Sequence, residues 1–343
     1  MDHASQSSAC DAREQRFDTS APVDQQLRFV LQYAVLAPSN HNAQPWRFIV
    51  DGGAIQVCAD RMRALPVVDP FDRELLISCG AALFNLRVAL CHFGLAYAIT
   101  TFPSETDPDV VALVHVSRDG HCDAKLPELF EAMTARVTTR APFVDEPVSS
   151  SLQQKLRDAC DLEGAVATCV ERRVDRQAIA QLITEADHIQ FADPRFRREL
   201  ASWIHPQRHG DGMPAYGAAV VGLLDLAAPL VTSVVRVFDV GAGAPATHEH
   251  LVDGSPLIVG ISTIRDDQEA WLAAGQALER MLLVAASEGL TASYLNQPIE
   301  VDTLREQLEN LLQVEAVPQL LLRVGRGPQV SHAPRRPLSE VVS

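Results

Sequence analysis

At 343 residues, 47% of them hydrophobic, and with a mean hydropathy of +0.02, the chain has enough apolar material for one large core or two smaller ones. A net charge of −15 and a pI of about 5.1 argue against a nucleic-acid partner or an anionic membrane surface. Seven cysteines (Cys10, Cys58, Cys79, Cys91, Cys122, Cys160, Cys169), scattered and without a Cys-x-x-Cys pair, suit buried thiols in a reducing compartment rather than a disulfide frame or a zinc site.

The polar stretch Met1 to Asp18 has no apolar run, which predicts a disordered tail and no signal peptide. From Pro22-Val23, Leu27, Val30, Leu31 and Ala34 recur at helical spacing, with Asp24 near the start. The pattern stops at Pro38. A polar cluster follows, Ser39, Asn40, Asn42 and Gln44, held between Pro38 and Pro45, each of which limits its own φ and that of the residue before it. The cluster reads equally well as a capping turn or as a rigid ligand loop. Trp46–Val50 and Ala54–Ala59 read as strands joined at Asp51-Gly52-Gly53. Leu83, Leu86, Leu90 and Phe93 trace a buried helix closed by Gly94, and Val110–Val116 is a further strand.

A second series opens near Leu126. Pro147, Val148, Leu152, Leu156 and Ala159 match Pro22, Val23, Leu27, Leu31 and Ala34 at an offset of 125. Gly275, Ala277, Leu278, Gly289 and Leu290 match Gly80, Ala82, Leu83, Gly94 and Leu95 at an offset of 195. Two colinear matches predict an internal duplication with a long insertion in the second copy. The expected plan is a tail over 1–20, a first repeat over 21–125 and a second over 126–343, carrying a lid-like insertion at about 170–245. The most lipophilic stretch, Ala218 to Phe238, is broken by Asp225, Pro229 and Arg236, so a buried or lid helix is expected there rather than a membrane span. The pairs His205/His209 and His248/His250 have metal-compatible spacing but no evident third ligand. Gly241-Ala242-Gly243 lacks the frame of a dinucleotide fingerprint.

Ala37-Pro38-Ser39, two residues, Asn42, one residue, Gln44-Pro45-Trp46 resembles the flavin-contacting loop of the FMN-dependent nitroreductase family. In that family the Ser and Asn positions reach the flavin from the neighbouring subunit of an intertwined dimer. Arg136-x-Thr138-x-Arg140 is similar to the family's Arg-x-Ser-x-Arg/Lys motif, with side chains at alternate positions projecting to one side. Pro298-Ile299-Glu300 is similar to its Pro-Ile-Glu-Gly loop, with Val301 in place of the glycine. Arg335 and Arg336 resemble the basic C-terminal segment that holds FMN phosphate, Arg336 being the better match. Each copy lacks the other's motifs, so the chain looks like the Acg-like fused branch, one FMN shared between two halves. The resemblance covers most of 22–160 and 250–343.

It implies an α+β, nitroreductase-like fold of two fused repeats, each a mixed or antiparallel sheet flanked by helices. It also implies FMN cycling between NADPH or NADH and a small acceptor such as a nitroaromatic or quinone. Pro38, Ser39, Asn40, Asn42 and Gln44 from the first copy would meet Arg136, Thr138, Arg140, Pro298, Ile299, Glu300, Arg335 and Arg336 from the second. Asn42 would bond the ring edge and the Glu300 N–H would face N5. The rival reading is a non-catalytic protein that stores flavin under a lid. A cytoplasmic monomer is expected, with a homodimer the alternative.

Overall fold

The computed structural model describes residues 16–117, 122–205, 210–214, 252, 254–328 and 330–343. The apolar stretch 218–238, the segment 241–243, and His209, His248 and His250 lie outside the described residues. Helix α1 (Val23–Ala34) buries Leu27, Val30, Leu31 and Ala34, the stripe its periodicity specifies. Strands β1 (Trp46–Asp51) and β2 (Ala54–Ala59) form a hairpin whose two-residue turn, Gly52-Gly53, has φ of +56° and +81°. Such turns follow the natural strand twist and favour glycine. The Gly53 N–H donates to Asp24 Oδ1 at 3.2 Å, tying the hairpin to the start of α1. Helix α2 (Arg73–His92) is buried on almost every face, and β3 (Ala96–Thr101) and β4 (Val110–Ser117) complete a sheet in the order β1-β2-β4-β3.

The second copy repeats this plan. After α3 (Phe130–Ala135) come α4 (Ser150–Asp161) and β5 (Val166–Val170). Where the first copy has a two-residue turn, the second passes through α5 (Arg173–Ala192), α6 (Pro194–Ser202) and a short parallel pair, β6 (Ile204–His205) with β7 (Met213–Pro214). Then follow β8 (Leu257–Thr263), α7 (Gln268–Ser287), β9 (Thr291–Tyr294), α8 (Asp302–Leu312), β10 (Val317–Gly325) and α9 (Leu338–Val341). The second sheet runs β5-β8-β10-β9, the same order strand for strand. Both four-stranded sheets are antiparallel throughout; among the described residues, parallel pairing with them is confined to isolated bridges, Phe48 with Val342 and Thr138 with Ala292.

The copies meet through α2 and α7. A Cβ on Gly80 would stand 2.2 Å from the Leu272 carbonyl oxygen, and one on Gly275 would stand 2.0 Å from that of Ile77. Leu272 and Ile77 are themselves 195 apart, so the contact is reciprocal, as in a twofold dimer interface. The helix ends agree as well. Gly94 and Gly289 have φ of +74° and +73°, and Leu95 and Leu290 donate to the carbonyls of Leu90 and Ala285, five residues back, at 2.8 Å each. The last residues return to the first sheet, where Ser343 N–H donates to Phe48 O and Val50 N–H to Ser343 O.

Among the described residues α2 is long and apolar enough to cross a membrane, but its surface is packed inside the protein. One expectation is overturned: Cys91, near the end of α2, is disulfide-bonded to Cys122, with Cα atoms 5.5 Å apart. No spacing rule links cysteines 31 residues apart; the pair forms because the chain before α3 returns to the end of α2. Cys58, Cys79 and Cys160 are buried free thiols, and burial pushes that of Cys58 up to about 11.

Candidate functional site

The polar loop is locally strained. His41, Asn42 and Gln44 hold φ of +49°, +55° and +52°, a left-handed conformation that non-glycine residues avoid. Contacts on all sides impose it. Ser39 Oγ accepts from the Gln44 N–H at 2.9 Å, closing the loop on itself as a capping turn does. Gln44, fully buried, donates from Nε2 to Gly210 O at 2.7 Å and accepts the Arg336 backbone N–H at 2.9 Å. Asn42 donates to Gly212 O and Pro334 O, both at 3.1 Å, and accepts from Arg335 Nη1 at 3.2 Å. Segments 210–214 and 333–336 therefore grip the loop from the second copy. The amide of Asn42, expected to bond the flavin ring edge, and that of Gln44, expected to bind the cofactor, are bonded to the chain instead.

The cations divide into two groups. Arg136 is buried; its Nη2 donates to Leu36 O at 3.0 Å, and its Nε lies 3.5 Å from Glu279 Oε1. Arg335 donates to Val35 O and Leu36 O at 2.9 Å each and to Ala37 O at 3.1 Å. Two guanidiniums thus share one carbonyl just past the C-terminal end of α1, where the helix dipole favours positive charge. Burial, then the neighbouring Arg136, brings the Arg335 pKa down to about 9. Arg336, expected to be the better phosphate ligand, lies elsewhere: it is buried, 3.6 Å from Asp60 and 3.5 Å from Glu340, and donates to Gln44 O at 3.4 Å. Neutralised by two carboxylates, it locks the C-terminal segment to the loop.

Arg136, Thr138 and Arg140 do not share one environment, because residues 136–140 form no regular strand: Arg136 is buried, whereas Thr138 and Arg140 are exposed. Arg140 is exposed yet has its pKa lowered by desolvation, the combination expected of a side chain lining a recess rather than open surface. Its Nη2 lies 3.6 Å from Met213 Sδ, next to the Gly212 that holds Asn42, so the two motifs meet in one locale. Burial and then Arg140 bring His41 down to about 4.

Pro298 and Ile299 are buried. The Glu300 backbone N–H, expected to point at a flavin nitrogen, donates to Asn296 O at 3.1 Å in a helical turn, and its carboxylate accepts from Gln190 Nε2 at 2.6 Å. Val301 stands at φ −116° as the cap of α8, a conformation that needs no glycine. Asn40 and Asn296 both donate to the buried Glu74, which pairs with Arg73 at 2.9 Å. Burial, then the Glu74 charge, pushes the Glu300 carboxyl well up.

Glu279 and Tyr294 escaped the sequence reading. Glu279 is fully buried with the Asn85 amide and Arg136 beside it, and among the described residues the Tyr294 hydroxyl and Arg136 Nε have no hydrogen-bond partner. The available signal was a carboxylate within the apolar run Ala270–Leu283, four residues after Gly275 and so on the same helix face. The site has crowded cations and unpartnered buried polar atoms, the chemistry of an anion receptor. These residues fit the phosphate half of a flavin nucleotide.

His41 makes the arrangement pH-sensitive. Its pKa in the folded chain, about 4, lies below the ordinary 6.5, so the unfolded chain takes up the proton first and stability is lost as pH falls through that window. His41→Asn keeps a residue tolerant of left-handed backbone and removes the titration. Between about pH 7 and 5, the urea midpoint should fall less in the variant than in the parent; parallel curves would refute the assignment.

A sequence profile of the nitroreductase family matches residues 216–326, beginning inside the segment that the motif resemblance left uncovered. A Mycobacterium tuberculosis H37Rv protein provisionally named NAD(P)H nitroreductase Rv3131 is 31% identical over 331 residues, spanning 95% of this chain and 93% of its own. From the same organism, a protein provisionally named NAD(P)H nitroreductase acg is 28% identical over 320 residues, 92% and 94% of the two chains. The crystal structure of a variant of the FMN and NADPH-dependent nitroreductase NfnB, from sphigopyxis sp. strain HMH, covers 63% of this chain and 97% of its own at 18% identity, with a TM-score of 0.41.

Proposed function

This chain belongs to the nitroreductase family, in its Acg-like branch, and is an NAD(P)H oxidoreductase of that type; on this premise we propose that it holds one FMN between its two repeats and passes electrons to a small nitroaromatic or quinone. The observation that carries the reading is the pairing of Arg136 and Arg335, almost 200 residues apart, on one carbonyl of the first-copy loop. In a protein of net charge −15, two such cations on a buried site favour a dianion.

Arg136 and Arg335 hold the phosphate, and Arg140 supplies a fixed cation in the adjoining recess. When bound, FMN supplies the two-electron chemistry with NADPH or NADH as donor. Ser39, Asn42, Gln44 and Arg336 keep the loop rigid, and His41 stays neutral near pH 7, adding no charge beside Arg140. No residue needs to serve as covalent nucleophile. Both halves of the site come from one chain, so a monomer suffices.

The grip of Gly210 and Gly212 on the loop favours a second reading, in which the same site retains flavin without turnover. Anaerobic mixing of FMN-loaded protein with NADPH or NADH distinguishes the two: bleaching near about 450 nm is the expected result, and absence of bleaching with both donors would leave retention alone. A colourless protein that cannot be loaded with FMN would refute both.

A further inference from the structure

Glu279 is fully buried on α7, and among the described residues the Asn85 amide is the one hydrogen-bonding group that favours its charged form. Among the described residues the groups facing it are few. Arg136, after α3, stands 3.5 Å away; Arg335 approaches from the C-terminal segment; the Asn85 amide comes from α2, and Tyr294 from β9 lies close. Arg280, the next residue on α7, is turned to Glu163 at 2.8 Å and Asp123 at 3.3 Å and does not help. Arg136, at a long ion-pair distance, is therefore the main charge holding Glu279 ionised, and Arg136 is also half of the anion receptor. A carboxylate without water or countercharge reverts to its neutral form, because desolvation then outweighs ionisation.

Resting on the FMN reading, we propose that Glu279 is the displaceable counter-ion of the phosphate site: a phosphate arriving at Arg136 and Arg335 takes over their charge, and Glu279 binds one proton from solvent. The bond formed is O–H on the Glu279 carboxyl, and nothing is oxidised or reduced. The neutral acid can then donate to a neighbouring acceptor, and the Tyr294 oxygen, without a partner among the described residues, is one such group. Its titration position agrees, since burial pushes Glu279 up to about 7 even with Arg136 acting against the rise. Above neutrality the free protein therefore carries it ionised, and loading must bring the proton in.

The test is calorimetric titration of the whole protein with FMN at about pH 8, in two buffers of different ionisation enthalpy. The flavin phosphate's own ionisation, near pH 6, is complete there. Uptake approaching one proton is expected in the parent and almost none in Glu279→Gln, which should still bind FMN. Riboflavin, lacking the phosphate, should cause no uptake. If Glu279→Gln does not fold, the parent alone decides: its Kd for FMN should rise up to about tenfold per pH unit above neutrality. FMN binding without proton uptake in the parent, or equal uptake in the glutamine variant, would overturn this inference and leave the flavin reading standing. A parent protein that fails to bind FMN would remove the flavin reading and this inference with it.

Discussion

Gly275→Ala should cost this protein about 3 kcal/mol or more and lower its thermal midpoint by roughly 4 °C or more. The new methyl would meet the Ile77 carbonyl oxygen at 2.0 Å and the Gly80 Cα at 2.9 Å. Both are backbone atoms on a helix, so no rotamer change relieves the clash. Helices α2 and α7 would have to separate, opening the seam where the two cores join through Ile77, Leu272 and Leu283. Gly80→Ala should behave in the same way, because the contact is reciprocal. Gly52→Asn is the control: nothing lies within 4 Å of a Cβ there, and asparagine tolerates φ of +56°. Scanning calorimetry reads both changes. A Gly275→Ala midpoint within about 1 °C of the parent would mean that the helices are not in backbone contact.

The second large effect is on ligand affinity. Arg136→Ala should weaken FMN binding roughly 10- to 150-fold, the worth of about 1.5–3 kcal/mol for a hydrogen bond to an ionised group. The same change leaves the buried Glu279 without its charge partner, a loss of about 3–5 kcal/mol in stability. Arg136→Ala combined with Glu279→Gln separates the two consequences: stability should largely return while FMN affinity stays low. Arg336→Ala should do the reverse, since Asp60, Glu340 and the loop carbonyl already occupy it: stability falls and affinity changes little. Flavin fluorescence titration measures the affinities. Equal losses of affinity in Arg136→Ala and Arg336→Ala would return the phosphate assignment to the C-terminal arginine.

Much of the architecture was legible because it is set locally. The stripe Leu27, Val30, Leu31, Ala34 specifies α1 wherever that helix sits, and Gly94 and Gly289 end their helices through the same left-handed backbone. The offset of 195 between Gly80 and Gly275 was visible in the letters, and it recurs in space as the reciprocal contact between the copies. The complementary placement of the polar loop in one copy and Arg136 in the other was legible too, because each motif is short and contiguous.

What the tertiary structure alone decided concerns partners far apart in the chain. Asn42 and Gln44 were recognisable as amides on a rigid loop, but only the folded chain shows them held by Gly210, Gly212 and Arg336. Arg335 and Arg336 are adjacent in sequence and point to different tasks, one beside Arg136 and the other on Asp60. Cys91 finds Cys122, and Glu279 finds Arg136, through the packing of α2 and α7 against the chain around α3. Periodicity and turn chemistry act over a few residues, so they determine helices, hairpins and the duplication. Hydrogen-bond saturation and charge pairing in the interior depend on which side chains the whole fold carries out of water together, and that is a property of the assembled chain.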